Sequence, residues 1–180
     1  NLAAALAAVP TTGTIIVNDG DYSSENITLA DAVTLQLTDT TGPVQIGDIA
    51  SAATNSINLG SNTLEIGATN VSGAGINAVI SGTGNLTKIG TGLLTIRGVN
   101  TYAGTTTIID GKLRIGRVDP GIQGELAGDG PVVVTSPGRL EFSVNVDKTI
   151  NQTGAISGTG SVGTLADGTV IFDGPGPNTF

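Results

Sequence analysis

GTGNLTKIGTGLLTIRGVNTYAGTTTIIDGKLRIG, residues Gly82 to Gly116, decides how the rest of the chain is read. Apolar side chains fall at alternate positions in short bursts, Leu94 with Ile96, then Ile108, then Leu113 with Ile115, and Gly, Asn or Asp separates the bursts. Period two with turn punctuation predicts strand, turn, strand, because successive side chains of a strand leave on opposite sides. On that alternation Leu113 and Ile115 point inward, while Lys112 and Arg114 point out. A carboxylate at Leu113 or Ile115 is then costly, and Lys112→Asp is expected to be nearly neutral. Gly92, Gly98, Gly104 and Gly111 fall between the bursts, at corners where the backbone bends sharply or takes positive φ.

The pattern returns. Ile80 to Gly98 aligns without a gap on Ile156 to Gly174, with seven of nineteen positions identical. Leu86 matches Val162, Leu94 matches Val170, and Ile96 matches Phe172; two extra residues then bring Tyr102 onto Phe180. A repeat at a fixed offset of 76 residues is the mark of a stacked architecture. Inside it lies a shorter unit of turn residue, apolar, any, apolar. Its members are Leu35 with Leu37, Leu64 with Ile66, Leu94 with Ile96, Leu113 with Ile115, Leu140 with Phe142 and Val170 with Phe172, at successive spacings of 29, 30, 19, 27 and 30 residues. Some twenty to thirty residues per turn predicts an all-β chain, a right-handed parallel β-helix or closely related solenoid of about six to seven coils.

The ordered series Gly92, Leu94, Ile96, Gly98, Tyr102, Gly104, Thr106, Ile108, Gly111, Leu113, Ile115 resembles the passenger-associated transport repeat of bacterial autotransporters. The likeness is nearly complete from Gly84 to Ile115 and partial from Gly160 to Phe180. It implies one continuous β-helical passenger segment over 1–180, with the transport repeat at 82–116 and a second, truncated copy at 156–180. It also implies secretion to the bacterial cell surface or beyond, a C-terminal translocator barrel in the same precursor, and a structural role as stalk or adhesin scaffold that assists its own transport and folding. Partners implied are a host-surface or matrix ligand, or a neighbouring cell. The second copy stops at the position matching Tyr102, so the native chain is expected to run on.

The chain has no Cys, His, Trp or Met, which excludes disulfides, thiol chemistry and any Ser-His-Asp or Cys-His arrangement. Glycine supplies 28 of 180 residues, a density that suits several corners per turn. Of the net charge of −8, residues 1–87 hold seven acids and no base, so nucleic acid and anionic membrane are not expected partners of that half. No apolar run is long enough for a membrane helix, the longest being Leu2 to Val9, and no membrane insertion of the segment is expected. That run, LAAALAAV, with Pro10 as its stop, reads as an N-terminal cap over residues 1–10 or the remnant of a preceding segment.

Parallel β-helices also host carbohydrate lyases and hydrolases, so paired carboxylates are the alternative to weigh. Asp19 and Asp21 form the tight pair, within the turn NDGD. Local backbone hydrogen bonding accounts for Asp and Asn there. The repeating GGxGxD calcium pattern is missing, and neither cofactor, metal nor catalytic residue is expected. The outward Thr105 and Thr107 would suit an ice-binding face only if every coil repeated them, and the coils at Leu64, Leu113 and Leu140 do not. A plain surface-layer or binding module is the remaining alternative. Arg117 to Pro131, with two Pro and four Gly, is the best candidate for a loop leaving the rod.

Overall fold

The computed structural model describes residues 2–8, 12–18, 20–38, 41–70, 75–116, 126, 130–145, 148–165, 167–173 and 178–179. Most of the loop at 117–131, together with Pro10, Asp19, Gly174, Pro175 to Pro177 and Phe180, lies outside them.

A helix, α1 (Leu2–Ala7), comes first, then β1 (Gly13–Val17), β2 (Asp21–Thr28), β3 (Val33–Leu37) and β4 (Val44–Ala50). Two turns of three strands follow: β5 (Ser56–Asn58), β6 (Thr63–Ile66), β7 (Gly75–Ile76), then β8 (Val79–Ser81), β9 (Asn85–Lys88), β10 (Leu93–Ile96). The next strands are β11 (Thr106–Ile108), β12 (Lys112–Gly116), β13 (Val132–Val134) and β14 (Arg139–Ser143). The last are β15 (Thr149–Gln152), β16 (Ile156–Gly158), β17 (Ser161–Leu165) and β18 (Thr169–Phe172).

Strands close in sequence do not pair; each pairs in parallel with the strand one turn on. The first face carries β1-β3-β5-β8, the second β2-β4-β6-β9-β11-β13-β16, and the third β7-β10-β12-β14-β17. The pair β15-β18 takes the first face's place in the order of the later turns. This is a β-solenoid of about six turns. Seven strands on the second face span roughly 29 Å at about 4.8 Å per step.

The inward assignments hold from Ile27 to Phe142, while at the far end Val170 is only partly buried and Phe172 is exposed. Ile27, Leu29, Val33, Leu35 and Leu37 are all buried, as are Leu94, Ile96, Ile108, Leu113 and Ile115, within one apolar cluster that runs through the faces. Lys112 is exposed and Arg114 is partly so. At one end α1 lays Leu2 and Leu6 on this cluster against β2, and Glu25 Oε2 accepts the Ala3 N–H at 2.8 Å.

Two expectations need correcting. The six apolar pairs do not form one column: Leu35 and Leu37 lie on the first face, Leu64 and Ile66 on the second, and Leu94, Leu113 and Leu140 with their partners on the third. Spacings near thirty therefore count one turn plus one face. The turn itself is shorter, since Leu94 stacks on Leu113 nineteen residues on, and Leu113 on Leu140 after twenty-seven. The 76-residue repeat is displaced in the same way, because Leu86 sits in β9 on the second face while its match Val162 sits in β17 on the third. Phe172, matched to inward Ile96, is 42% exposed, for β18 is paired along one edge only.

Lys112 also has a charged neighbour that alternation could not show, buried Glu141, whose Oε1 lies 3.6 Å from its ammonium. Lys112→Asp would set two carboxylates side by side, so it is not a neutral change. Lys112→Ala is the proper outward control, expected to cost less than about 1 kcal/mol because the lysine is half exposed. Leu113→Asp or Ile115→Asp, placing an unpartnered carboxylate in the fully buried stripe, should cost about 3 kcal/mol or more. Thermal melts followed by circular dichroism compare the classes; equal losses would refute the inward and outward assignment.

Candidate functional site

The series from Gly92 to Ile115 winds once round the solenoid and overlaps itself. Leu94 and Ile96 hold the third face in β10, Tyr102 the first, Thr106 and Ile108 the second in β11, and Leu113 and Ile115 the third again in β12. Gly98, Gly104 and Gly111 occupy the bends between them, and Gly92 the bend that leads into β10. Leu94 lies beside Leu113 and Ile96 beside Ile115. Starting six residues earlier, at Leu86, adds a second ladder, with Leu86 beside Thr106 and Lys88 beside Ile108. Thirty residues thus contain two complete strand pairings made within themselves.

The glycines are needed for two separate reasons. Gly111 has φ of 62°, the left-handed region that a side chain disfavours. Gly104 has no such φ; a Cβ on it would stand 2.1 Å from the carbonyl oxygen of Gly84, the corner of the turn before. Close stacking of turns, and not backbone conformation, excludes a side chain there.

Tyr102 and Thr106 explain each other. The Tyr102 ring points into the core at 1% exposure, which strips its hydroxyl of water, and Thr106 Oγ1, four residues on and itself buried, lies 2.6 Å from that hydroxyl. Burial pushes the phenol up to about 12, against a smaller opposing effect of the Thr106 hydrogen bond. A buried phenol without this partner would bear the full cost of desolvation.

Asn100 escaped sequence reasoning. Its side chain is buried; Nδ2 donates to Gly98 O at 3.0 Å and Oδ1 accepts the Ile80 N–H at 2.9 Å, pinning the first-face strand of one turn to the corner of the next. Asn178 does the same for Ile156 N–H at 2.9 Å. Thr101 N–H bonds Ile80 O at 2.8 Å, and Thr179 N–H bonds Ile156 O at 3.0 Å. These are matched positions of the two repeat copies, given the two-residue insertion, so the second copy reproduces the contact one face further round. The signal was the Asn shared by GVN and GPGPN, which alternation of apolar residues does not register.

Lys88 was also missed, since nothing in a sequence marks a lysine as inward. It shares a parity with Leu86, is 1% exposed, and donates its ammonium protons to Ile89 O at 2.5 Å, Gly90 O at 2.6 Å and Asp110 O at 3.4 Å. Burial lowers its pKa, with the charges of Asp110 and Asp48 acting the other way. Asp48 is buried as well, and burial raises its pKa more than the Ile49 N–H, donated to Oδ1 at 2.9 Å, lowers it.

Asp21, from the candidate pair, is exposed, and its Oδ1 accepts the Ser23 N–H at 2.9 Å. The Ser23 hydrogen bonds hold its carboxyl below the ordinary value. Among the described residues no three Asp or Glu side chains converge in a way that could hold a metal ion. No helix among them is long and apolar enough to cross a membrane.

Residues 86–115 match the family described as the passenger-associated-transport-repeat, and the match covers the two self-made ladders from β9 to β12. It supports a passenger-domain repeat of autotransporters. The chain is similar to the uncharacterized protein YuaQ of Escherichia coli (strain K12), 36% identical over 107 residues, 52% of this chain and 8% of the relative. The chain therefore spans well under a tenth of that protein's length. No solved structure matches it. Repeat and solenoid together fit an autotransporter passenger scaffold, and that repeat family implies a secreted or surface-exposed protein.

The Tyr102 hydroxyl gives a pH test. Its folded pKa lies above the unfolded value near 10, so the fold favours the neutral phenol; its contribution is complete below pH 10 and falls away between pH 10 and 12. Tyr102→Phe should cost about 1 kcal/mol at neutral pH by orphaning Thr106, and should flatten the alkaline part of the stability curve. Tyr102→Phe with Thr106→Val should recover part of that loss. Urea melts at pH 7 to 12 decide it; an unaltered alkaline slope in Tyr102→Phe would contradict the buried hydroxyl pair.

Proposed function

We propose that this chain is a non-enzymatic scaffold section of an autotransporter passenger, acting as a stalk or adhesin support at the bacterial surface, and that the segment 86–115 is its folding seed. The supporting observation is the self-made pairing of β9 with β11 and β10 with β12 across nineteen or twenty residues. The pairings that follow, β11 with β13 and β12 with β14, span twenty-six and twenty-seven. Single pairings across twenty residues also join β1 with β3, β4 with β6, β7 with β10 and β15 with β18, so loop length alone does not set the segment apart; closing its thirty residues forms two ladders at once, which gives the neighbours an edge to add to.

A passenger leaving a translocator barrel in its own precursor emerges as unfolded chain, and a seed that needs no other part of the protein suits that situation. The absence of Cys from the sequence is compatible with such passage. Contact with a host surface, a matrix or a neighbouring cell is the role in which a rigid rod of stacked turns serves, by holding other segments away from the cell. Asp21 is engaged within its own turn, where its Oδ1 accepts the Ser23 N–H.

Pulse-labelled hydrogen exchange during refolding of the full chain reads the order of folding. Amides of 86–115 should gain protection first, with flanking turns following on both sides. Earlier protection of 13–50 or of 149–172 would refute the seed.

A further inference from the structure

The third face differs from the rest of this acidic molecule. Among the described residues its outward side chains include Arg97, Lys112, Arg114 and Arg139, set against a single carboxylate on its strands, Glu141. The ladder places Lys112 beside Arg139 and Arg114 beside Glu141. Glu141 is nearly enclosed, with 4% of its side chain exposed, and all three neighbouring cations turn to it: Arg114 Nη2 at 2.9 Å from Oε2, Arg139 Nε at 2.9 Å and Lys112 Nζ at 3.6 Å from Oε1. Burial raises its pKa, but the Arg114 hydrogen bond and the three positive charges outweigh that and hold it below the usual range. One buried negative charge thus fixes three cations and leaves the face with an excess of positive charge.

Glycine shapes the same surface. At the two ends of the outward row Gly75–Thr95–Arg114–Glu141–Gly163 there is no side chain, and arginines lie across both gaps. Arg97 Nη1 comes within 1.6 Å of where a Cβ on Gly75 would be, and Arg139 Nη2 within 2.7 Å of that on Gly163. Each guanidinium thus reaches over a glycine of the neighbouring turn. Lys112 and Arg139 keep 51% and 41% of their side chains exposed.

We propose that this face is a binding site for an acidic polysaccharide, a polyuronate lying along the solenoid axis with its carboxylates taken by Lys112, Arg114, Arg139 and Arg97. Planar guanidinium groups held in place by another contact match carboxylates in a bidentate manner and lose little side-chain freedom on binding. Turns repeat at about 4.8 Å, so cations on successive turns recur on the scale of single sugar rings, each of which carries one carboxylate in such a polymer. Nucleic acid fits less well. No aromatic side chain among the described residues lies outward on this face to stack a base, and the chain as a whole carries −8. Beyond about 8 Å that net charge is screened at physiological salt, so a sparse polyanion can still dock on the local excess. The site stands on charge and geometry and does not depend on the passenger reading.

Isothermal titration of the full chain with polygalacturonate, starting at about 0.15 M salt where the net charge is screened, tests it, with single-stranded DNA and a neutral glucan as comparisons. Polygalacturonate should bind, binding should weaken as salt rises, and the glucan should not bind. Lys112→Gln with Arg139→Gln should lower affinity at least tenfold, while Lys148→Gln, an exposed base off this face, should change it less than twofold. Should the double variant fold poorly, amide shift perturbation in the unaltered protein gives a second reading. Shifts confined to Thr95, Arg114, Glu141, Gly163 and their neighbours support the site. Absence of polygalacturonate binding, equal binding by the folded double variant, equal or tighter binding of DNA, or shifts elsewhere would overturn it.

Discussion

The turns of this solenoid stack so closely that, at one corner, the backbone of each turn fills the space where the next would carry a side chain. A Cβ on Gly104 would meet Gly84 O at 2.1 Å, on Gly130 it would meet Gly104 O at 2.4 Å, and on Gly154 it would meet Gly130 O at 1.9 Å. Gly84 meets Asn62 O in the same way, at 1.9 Å. This column runs down the corner entering the second face, and it sets the separation at which the ladders can form. Length between corners is free by comparison. The interval from Gly84 to Gly104 is twenty residues and from Gly104 to Gly130 twenty-six, yet β9, β11 and β13 remain in register.

Polar groups inside the stack fix how one turn sits on the next. An apolar stripe alone would tolerate a slip of two residues, since the same faces would stay buried. Asn100 against Ile80 loses a buried hydrogen bond if the register moves, and Asn178 against Ile156 a half-buried one. The Lys88 ammonium, shared among the Ile89, Gly90 and Asp110 carbonyls, ties the corner of one turn to the next in the same fashion. The stretch 82–116 holds Lys88 and Asn100 together with two corners of the glycine column, Gly84 and Gly104.

Much of this was legible in the residues. Alternation identified the inward apolar residues Ile27, Leu29, Val33, Leu35 and Leu37, and Leu94, Ile96, Ile108, Leu113 and Ile115, because burial on one side of a strand leaves a period of two. Which face a pair belonged to was not legible. Leu35 with Leu37 and Leu64 with Ile66 have the same local pattern, and only the path of the chain round the corners puts them on different faces. The reason given for Gly104 was half right: a corner was visible, whereas the carbonyl of Gly84 pressing on it comes from a turn away. Asn100, Lys88 and Glu141 were missed for that same reason, their partners being settled by register and not by neighbours in sequence. The cationic third face is the largest such case, since Arg97, Lys112, Arg114 and Arg139 are spread over more than forty residues and meet only when the turns stack.

The stacking constraint is tested most directly by adding one methyl group. Gly104→Ala must push the Gly84 carbonyl away, whereas Gly42→Ala meets nothing within 4 Å. Urea melts of both variants at pH 7 should show Gly104→Ala destabilised by about 2 kcal/mol or more, as overpacking against backbone demands. Gly42→Ala should lie within about 0.5 kcal/mol of the unaltered protein. If Gly104→Ala were as stable as Gly42→Ala, backbone contact at the corners would not be what sets the stacking, and the account of this fold would fail at its base.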